Sequence, residues 1–171
     1  MKQQGVPTGK PEIGRRIAGR AQDPGINDTY QLKGKLPEPC ACPQCGAVYH
    51  QGHWTWSARP AGAAEVLCQA CRRIADRYPA GRLTLSGGFW PAHRDEILRI
   101  VHHAEAEEKS RHPLNRIMAI EDDDGRLIVT TTDIHLPRRI GEALHRSFQG
   151  DLELDYDQDT YAVRVTWQRD A

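Results

Sequence analysis

The sequence predicts an α+β protein in which a small metal-binding module precedes a larger unit of strands and helices. Three observations support this prediction. Two Cys-x-x-Cys pairs, Cys42 with Cys45 and Cys68 with Cys71, lie in the first half of the chain. In the second half, apolar residues alternate with polar ones in some segments and recur at helical spacing in others. The length of 171 residues fits one domain or two small ones.

Charge is unevenly distributed along the chain, although the formal net charge is zero. Residues 1–39 and 40–82 each carry +3, and residues 83–171 carry −6. A basic front half and an acidic back half predict two surfaces with different partners. No run of 18 apolar residues is present, and the N-terminus lacks the apolar segment of a secretory signal. We therefore expect a cytoplasmic protein that does not span a membrane.

Residues 1–36 predict a disordered basic arm. The segment is rich in glycine and proline and has few large apolar side chains, so it cannot bury enough surface to offset its ordering entropy. Arg15 and Arg16 are its candidate nucleic-acid-binding residues, since an arm of this kind can settle on phosphates when a partner binds. The alternative is a tail that only increases solubility.

The four paired cysteines predict a structural zinc site within a module at residues 37–81. Without a secretory signal, paired cysteines indicate metal or redox chemistry rather than disulfides. Each pair can bring two sulfurs to one tetrahedral Zn²⁺ ion, and four thiolates leave no open position for a catalytic water. The candidate ligands are Cys42, Cys45, Cys68 and Cys71.

Other residues near the first pair offer alternative ligands. Cys40 could replace Cys42, although the three-residue spacing of the pair fits a metal knuckle better. If it binds no metal, we expect Cys40 to be a partly exposed free thiol. His50 and His53 are further alternatives, but four cysteines already complete a tetrahedral set.

The order of elements around the cysteines predicts a treble-clef, zinc-finger-like layout. Pro43 and Gly46 shape a tight first knuckle. A hairpin is expected from residues 48–50 and 54–56, and a helix over residues 67–78 carries the second pair. The apolar positions of that helix are Leu67, Ala70, Ile74 and Tyr78.

Residues 82–169 predict a ferredoxin-like βαββαβ domain with an extra C-terminal strand. Expected are a strand at 82–86, a helix from Pro91 to Lys109, strands at 116–121 and 126–132, a helix capped by Asp133, and strands at 152–156 and 161–167. This order favours a sheet of four or five strands with two helices on one face. If the short first strand does not form, the alternative is two hairpins that flank a helix.

A basic and aromatic surface is predicted on the zinc module. Its candidate nucleic-acid-binding residues, besides those of the arm, are Arg72, Arg73, Arg77, Trp54 and Trp56. Arginines contact phosphates and tryptophan rings stack on bases, which is the usual combination for single-stranded nucleic acid. The alternative is that the arginines solvate the helix and the tryptophans cover the small zinc core.

Several motifs together resemble a small bacterial zinc-binding family. They are Lys35-Leu-Pro-Glu-Pro39, Cys42-Pro-Gln-Cys45-Gly-Ala-Val-Tyr49-His, Asp76-Arg-Tyr-Pro-Ala-Gly81, His112-Pro-Leu-Asn-Arg-Ile-Met-Ala-Ile120 and Thr130-Thr-Thr-Asp133-Ile-His-Leu136. That family is similar to the N-terminal zinc region of Nmd, the nonsense-mediated-decay protein that serves as export adaptor of the large ribosomal subunit. The resemblance covers residues 35–167. It implies zinc at the four cysteines, suggests binding to RNA or the ribosome, and supplies no catalytic residue.

We therefore expect a non-catalytic zinc-binding adaptor that associates with RNA or the ribosome. The alternative is a regulatory protein-interaction module that acts through the acidic C-terminal domain. A third hypothesis is an enzyme with thiol chemistry at Cys40 or at an unliganded cysteine pair. The chain has neither a phosphate-binding G-x-x-x-x-G-K-[ST] motif nor a G-x-G-x-x-G motif, so no nucleotide cofactor is expected.

Overall fold

The computed structural model describes residues 15–18 and 27–171, and within them the fold is mixed α+β with two sheets and four helices. The strands are β1 (Arg15–Ala18), β2 (Cys40–Ala41), β3 (Val48–His50), β4 (His53–Thr55), β5 (Ala64–Glu65), β6 (Gly81–Ser86), β7 (Ile117–Asp123), β8 (Arg126–Thr131), β9 (Asp151–Tyr156) and β10 (Val163–Gln168). The helices are α1 (Gln69–Asp76), α2 (Phe89–Ala92), α3 (Arg94–Arg111) and α4 (His135–Phe148).

The small sheet has the order β4-β3-β2-β5 and precedes helix α1. Its hairpin joins β3 to β4 through Gln51 and Gly52, which both have positive φ angles of 52° and 80°. Two consecutive residues of this kind make the tight turn that matches the twist of a hairpin. The hairpin is therefore present at the predicted place, with its second strand one residue early.

Helix α1 buries only the first part of the apolar face that its sequence predicts. Ile74 and Tyr78 are 41% and 56% exposed, whereas Ala70, Cys71 and Arg73 point inward. The physical reason is that the cysteine cluster sets the rotation of the helix. Because α1 turns its cysteine face toward the other pair, Ala70 is buried while Ile74 and Tyr78 are left exposed.

The large sheet has the order β1-β9-β10-β6-β8-β7 and contains the predicted elements of the second unit in the predicted sequence. Its strand order differs from a ferredoxin-like sheet, in which the fourth strand of the unit pairs with the first. Here the last strand, β10, pairs with β6 instead, in parallel. Strand β9 pairs with the other edge of β10, in antiparallel orientation. The predicted extra strand is thus internal to the sheet.

Strand β1 adds a sixth strand that the sequence analysis does not predict. It pairs in parallel with β9, where Arg15 lies opposite Leu152 and Arg16 opposite Glu153. Without β1 the outer edge of β9 would have unpaired backbone groups, and the extended backbone of residues 15–18 pairs with them. The prediction of a disordered arm is therefore wrong for these four residues. Its remaining parts at residues 1–14 and 19–26 lie outside the described residues.

The main core lies between the large sheet and its helices. Leu83 and Leu85 of β6 and Val165 and Trp167 of β10 are fully buried, while the residues between them face the other side. This alternation leaves one face of the sheet on the core and the other toward water. Helix α4 lies close to the sheet at Gly141, where a Cβ atom would be only 2.8 Å from a methyl group of Leu152.

The helix predicted to begin at Pro91 is split into two. Helix α2 begins at Phe89 and ends at Ala92, and α3 follows after His93. The backbone of His93 leaves the helical region at φ −117° and ψ 26°, while its ring stacks on Phe89 with centroids 4.0 Å apart. The backbone change at His93 therefore interrupts the helical pattern, which resumes at Arg94 and continues to Arg111.

The side chain of Asp133 caps helix α4 as predicted, from the position just before the N-cap residue Ile134. One carboxylate oxygen accepts hydrogen bonds from the backbone N–H groups of His135 and Leu136, at 2.8 and 3.0 Å. The other oxygen is buried and has no hydrogen-bond partner among the described residues. Burial, with a further contribution from the charge of Glu108, raises the pKa of Asp133 from 3.8 to about 6. The capping hydrogen bonds thus lower the pKa of this carboxylate, while burial raises it.

This raised pKa predicts a measurable pH dependence of stability. Between pH 4 and 6 the folded state holds a proton on Asp133 that the unfolded state has lost, so stability falls as pH rises. The shift corresponds to about 3 kcal/mol. Asp133→Asn keeps a capping oxygen but cannot ionise. Urea unfolding of both proteins from pH 4 to 7 is expected to show the wild type losing about 2 kcal/mol of this relative to the variant, because the unfolded aspartate is already more than half ionised at pH 4. Parallel pH profiles of the two proteins would contradict this account.

Candidate metal centre

The first cysteine pair is placed by a tight knuckle after β2. The backbone N–H of Cys42 donates to Ala47, and the N–H of Gly46 donates back to the carbonyl of Cys42, at 2.8 and 2.9 Å. Gly46 has a φ of 82°, a left-handed conformation that glycine adopts without strain. The closed knuckle fixes Cys42 and Cys45 on one side of the cluster.

The second pair is placed by the start of helix α1. Cys68 is the N-cap of the helix, and its sulfur accepts a hydrogen bond from the N–H of Cys71 at 3.4 Å. The N–H of Cys68 donates to the sulfur of Cys42, also at 3.4 Å, and so links the two pairs. Unpaired N–H groups and the positive end of the helix dipole both stabilise thiolates at this position.

The structure brings the four predicted ligands together, because the sulfurs of Cys42, Cys45, Cys68 and Cys71 all lie within 4.8 Å of one another. The sulfurs of Cys45 and Cys68 are 3.9 Å apart. A tetrahedral zinc ion with Zn–S bonds of about 2.3 Å separates its sulfurs by about 3.8 Å, so the cluster has the right size. Thiolate is a ligand that zinc favours, and the donor set therefore fits Zn²⁺.

Burial and mutual repulsion oppose the simultaneous ionisation of the clustered thiols. Burial opposes ionisation of Cys42, but backbone N–H groups, chiefly that of Cys68, lower the pKa of Cys42 to about 7. Burial and the neighbouring cysteines raise the pKa of Cys68 far above its usual value. Four adjacent thiolates therefore do not form by themselves, and a divalent cation would supply the missing charge compensation.

Arg116 is a further member of the centre that the sequence analysis does not identify. It is 8% exposed, and its guanidinium donates hydrogen bonds to Cys68 at 3.3 Å, Cys45 at 3.4 Å and Cys71 at 3.6 Å. Burial alone would lower the pKa of Arg116, but the adjacent sulfurs raise it overall. Sequence spacing carries no signal for this contact, because Arg116 follows the last cysteine by 45 residues.

The alternative ligands lie elsewhere. Cys40 is fully buried on β2 and is not part of the four-sulfur cluster, so the expectation of a partly exposed thiol is wrong. Burial raises the pKa of Cys40, which disfavours the reactive thiolate. His50 and His53 face each other across the β3–β4 hairpin, exposed to solvent and outside the cluster.

The three predicted arginines of the zinc module have different environments. Arg72 and Arg77 are exposed, and Arg77 forms the left-handed end of α1. Arg73 is only 1% exposed and forms an ion pair with Asp28 at 2.6 Å. Its guanidinium also lies over the ring of Tyr30 at 4.3 Å. A buried and paired arginine cannot reach a phosphate, so Arg73 leaves the predicted nucleic-acid-binding set.

The aromatic residues of the module also differ from one another. Trp54 is half-buried and packs against the cysteine cluster. This agrees with the alternative in which the tryptophans cover the metal site. Trp56 is 40% exposed, and its indole N–H donates to the carbonyl of Lys109 at 2.7 Å. Tyr30 and Tyr78, which the sequence analysis does not single out for binding, stack with ring centroids 6.0 Å apart.

The last part of the predicted arm contacts the module, which its composition does not predict. Asp28 and Tyr30 belong to the predicted disordered arm, but both pack against α1, and the hydroxyl of Tyr30 donates to Asp76 at 2.8 Å. The prediction of disorder is thus wrong at these residues too. A composition rich in glycine and proline cannot show that two polar residues have a buried arginine to contact.

Comparisons with known proteins give no match for this chain. No family model fits it, and no curated protein or solved structure is significantly similar to it. Among the described residues, none of the helices combines the length and apolar character needed to cross a bilayer. The resemblance to the Nmd zinc region stays a prediction.

Proposed function

We propose that this protein is a non-catalytic zinc-binding adaptor that associates with RNA or the ribosome. The observation that carries the proposal is the four-cysteine cluster, which is compact and composed only of sulfur ligands. In such a site zinc has its full complement of four ligands, so the ion holds the fold and has no vacant position for a substrate.

The treble-clef layout belongs to this proposal. The knuckle at Cys42 and Cys45, the β3–β4 hairpin and helix α1 with the second pair follow one another in that order. Because the small sheet has only short strands, its own core is small, and the buried residues on and beside these strands are Cys40, Ala41, Ala47, Val48 and Ala63. A core of this size cannot hold a module of about 40 residues together, and the metal would supply the missing stability.

The RNA-binding part of the proposal rests on exposed side chains of helix α1 and its C-terminal end. We call Arg72, Ile74, Arg77 and Tyr78 the α1 surface, since all four are exposed. Two cations beside an exposed aromatic ring match the requirements of a single-stranded nucleic acid, whose phosphates need charge and whose bases need a flat surface. No ion pair joins either arginine to a described residue. The Nε–H of Arg72 donates to the carbonyl of Leu67 at 3.2 Å, which leaves its terminal nitrogens for contact with phosphate.

Salt-dependent binding of ribosomal RNA tests this surface. We expect the wild type to bind the RNA at low salt, and Arg72→Gln/Arg77→Gln to bind more weakly. Each lost phosphate contact reduces the slope of log K against log salt by about 0.7, so the double variant should lose about 1.4. The matched control is Arg126→Gln/Arg164→Gln, which removes two exposed arginines that already pair with Asp123 and Asp155.

The outcome separates RNA binding from protein binding. Failure of the wild type to bind ribosomal RNA at low salt would contradict the RNA half of the proposal. Equal slopes for the two double variants would contradict the assignment to the α1 surface. Recovery of the same protein partners after nuclease treatment, with no bound RNA, would support the interaction module instead.

A further inference from the structure

The loop that carries Arg116 connects the cysteine cluster to the large sheet. The guanidinium has five N–H donors, and the structure uses four of them within the protein. Three point to the sulfurs of Cys45, Cys68 and Cys71, and the Nε–H donates to the carbonyl of Pro113 at 2.8 Å. This last bond fixes the plane of the guanidinium, so the contacts with sulfur are directed rather than incidental.

The backbone of Arg116 is held just as firmly. Its N–H donates to the hydroxyl of Thr132 at 2.9 Å, and its carbonyl accepts from the N–H of Thr132, also at 2.9 Å. The hydroxyl of Thr132 in turn donates to the carbonyl of Leu114, and the Leu114 side chain packs against the cysteine cluster. Thr132 directly follows strand β8, so these bonds attach the loop to the large sheet.

Helix α3 holds the residues on both sides of Arg116. The amide of Asn115 donates to Glu108 at 2.9 Å, and the N–H of Ile117 donates to Glu105. Glu108 is 4% exposed and also pairs with Arg139 of helix α4 at 2.7 Å. The loop is therefore fixed by α3 and by the end of β8, and its one buried cation points into the cluster.

The charge of the metal–thiolate group explains the role of the Arg116 guanidinium beside it. One Zn²⁺ ion with four thiolates carries a formal charge of −2, and a buried charge of this size needs compensation. Arg116 supplies +1 in contact with three of the four sulfurs. Hydrogen bonds from groups outside the ligand set orient metal ligands and adjust their basicity.

We propose that Arg116 is a positioning residue of the metal centre, which offsets the charge of the metal–thiolate group and couples metal occupancy to the large sheet. The inference rests on the proposed zinc site at the four cysteines and adds a residue that no ligand motif contains. It assigns the loop at residues 113–117 as the link through which loss of metal loosens the end of β8.

Zinc affinity of full-length variants tests the charge-compensating role. The variants are Arg116→Gln, Arg116→Lys and the control Arg126→Gln, and affinity is measured by competition with a chromophoric chelator. We expect Arg116→Gln to bind Zn²⁺ about 10- to 100-fold more weakly, as loss of such a contact usually does. Arg116→Lys should recover part of the affinity, because it keeps the charge but not the planar fork. The Co²⁺-substituted proteins should show visible bands that shift in both Arg116 variants and not in the control.

Two results of these metal-binding measurements would overturn the inference, and a third concerns the zinc site alone. If Arg116→Gln binds zinc as tightly as Arg126→Gln, Arg116 has no role at the metal. If the cobalt bands of Arg116→Gln are those of the wild type, its guanidinium does not contact the sulfurs. A wild type that binds no metal would instead overturn the proposed zinc site.

Hydrogen exchange of the wild type keeps the test independent of whether a variant folds. Removal of the metal with a chelator is expected to speed exchange of the Thr132 N–H, which donates to Arg116, more than exchange of the β9 and β10 amides. Unchanged exchange at Thr132 after complete removal of the metal would contradict the proposed coupling.

Discussion

Replacing Cys45 by alanine is expected to abolish stoichiometric metal binding and to unfold the zinc module. Three remaining thiolates bind zinc far more weakly than four, and the binding free energy of a structural zinc ion is folding free energy. Apolar packing adds little stability around the sulfurs, since the buried residues there are three of the cysteines and Ala70. Metal analysis, together with the near-ultraviolet circular dichroism of Trp54 against the cluster, measures both effects.

Cys40→Ala is the matched control for this prediction. Cys40 is fully buried and Cys45 is only half-buried, so an account based on packing alone predicts the larger loss at Cys40. The metal account predicts the reverse order, because only Cys45 lies in the sulfur cluster. A Cys45→Ala protein that remains as stable as Cys40→Ala would therefore contradict it.

Removing the carboxylate of Asp28 is expected to destabilise the protein by about 3 kcal/mol, because it leaves the buried Arg73 without a counter-charge. Arg73 has a further hydrogen bond to the carbonyl of Tyr78 at 3.0 Å, so it cannot move easily into solvent. Urea unfolding of Asp28→Ala measures the loss. The double variant Asp28→Ala/Arg73→Met should recover part of it, since the unpaired charge is then absent.

An exposed ion pair provides the comparison. Arg94 and Asp122 form two hydrogen bonds at 2.7 and 3.2 Å, but both side chains are well exposed. Asp122→Ala is therefore expected to cost less than about 1 kcal/mol. If Asp28→Ala and Asp122→Ala lose equal stability, the buried pair does not hold residues 28–30 on α1.

The ligand set and most elements can be predicted from the sequence because their signals are local. A Cys-x-x-Cys pair limits the distance between two sulfurs whatever the rest of the chain does. Alternating apolar residues, as in Leu152, Leu154 and Tyr156 of β9, indicate a half-buried strand from within a few residues. The Asp124-Gly125 turn likewise gives the β7–β8 hairpin its place.

The order of the strands in the sheet has no such local signal in the sequence. The alternation of β10 fits an internal strand as well as an edge strand, because both bury one face. Only the pairing partners distinguish the two, and β10 pairs with β9 on one side and β6 on the other. Strand β1 is harder still to predict, since it joins the sheet through backbone pairing with β9.

Single charged residues are the least predictable part of the site. Arg72 and Arg73 are neighbours in the sequence, yet one is exposed and the other is buried beside Asp28. Their difference depends on the rotation of α1, which the cysteines set. Arg116 reaches the cluster from a loop between α3 and β7, and only the tertiary fold brings it there.

The most direct test of the central claim is metal analysis combined with X-ray absorption spectroscopy of the purified protein. The claim is that one divalent ion lies among four sulfurs and has no other ligand. We predict one zinc ion per chain with four sulfur neighbours at about 2.3 Å. A protein without stoichiometric metal, or a metal with nitrogen or oxygen in its first coordination sphere, would contradict the claim.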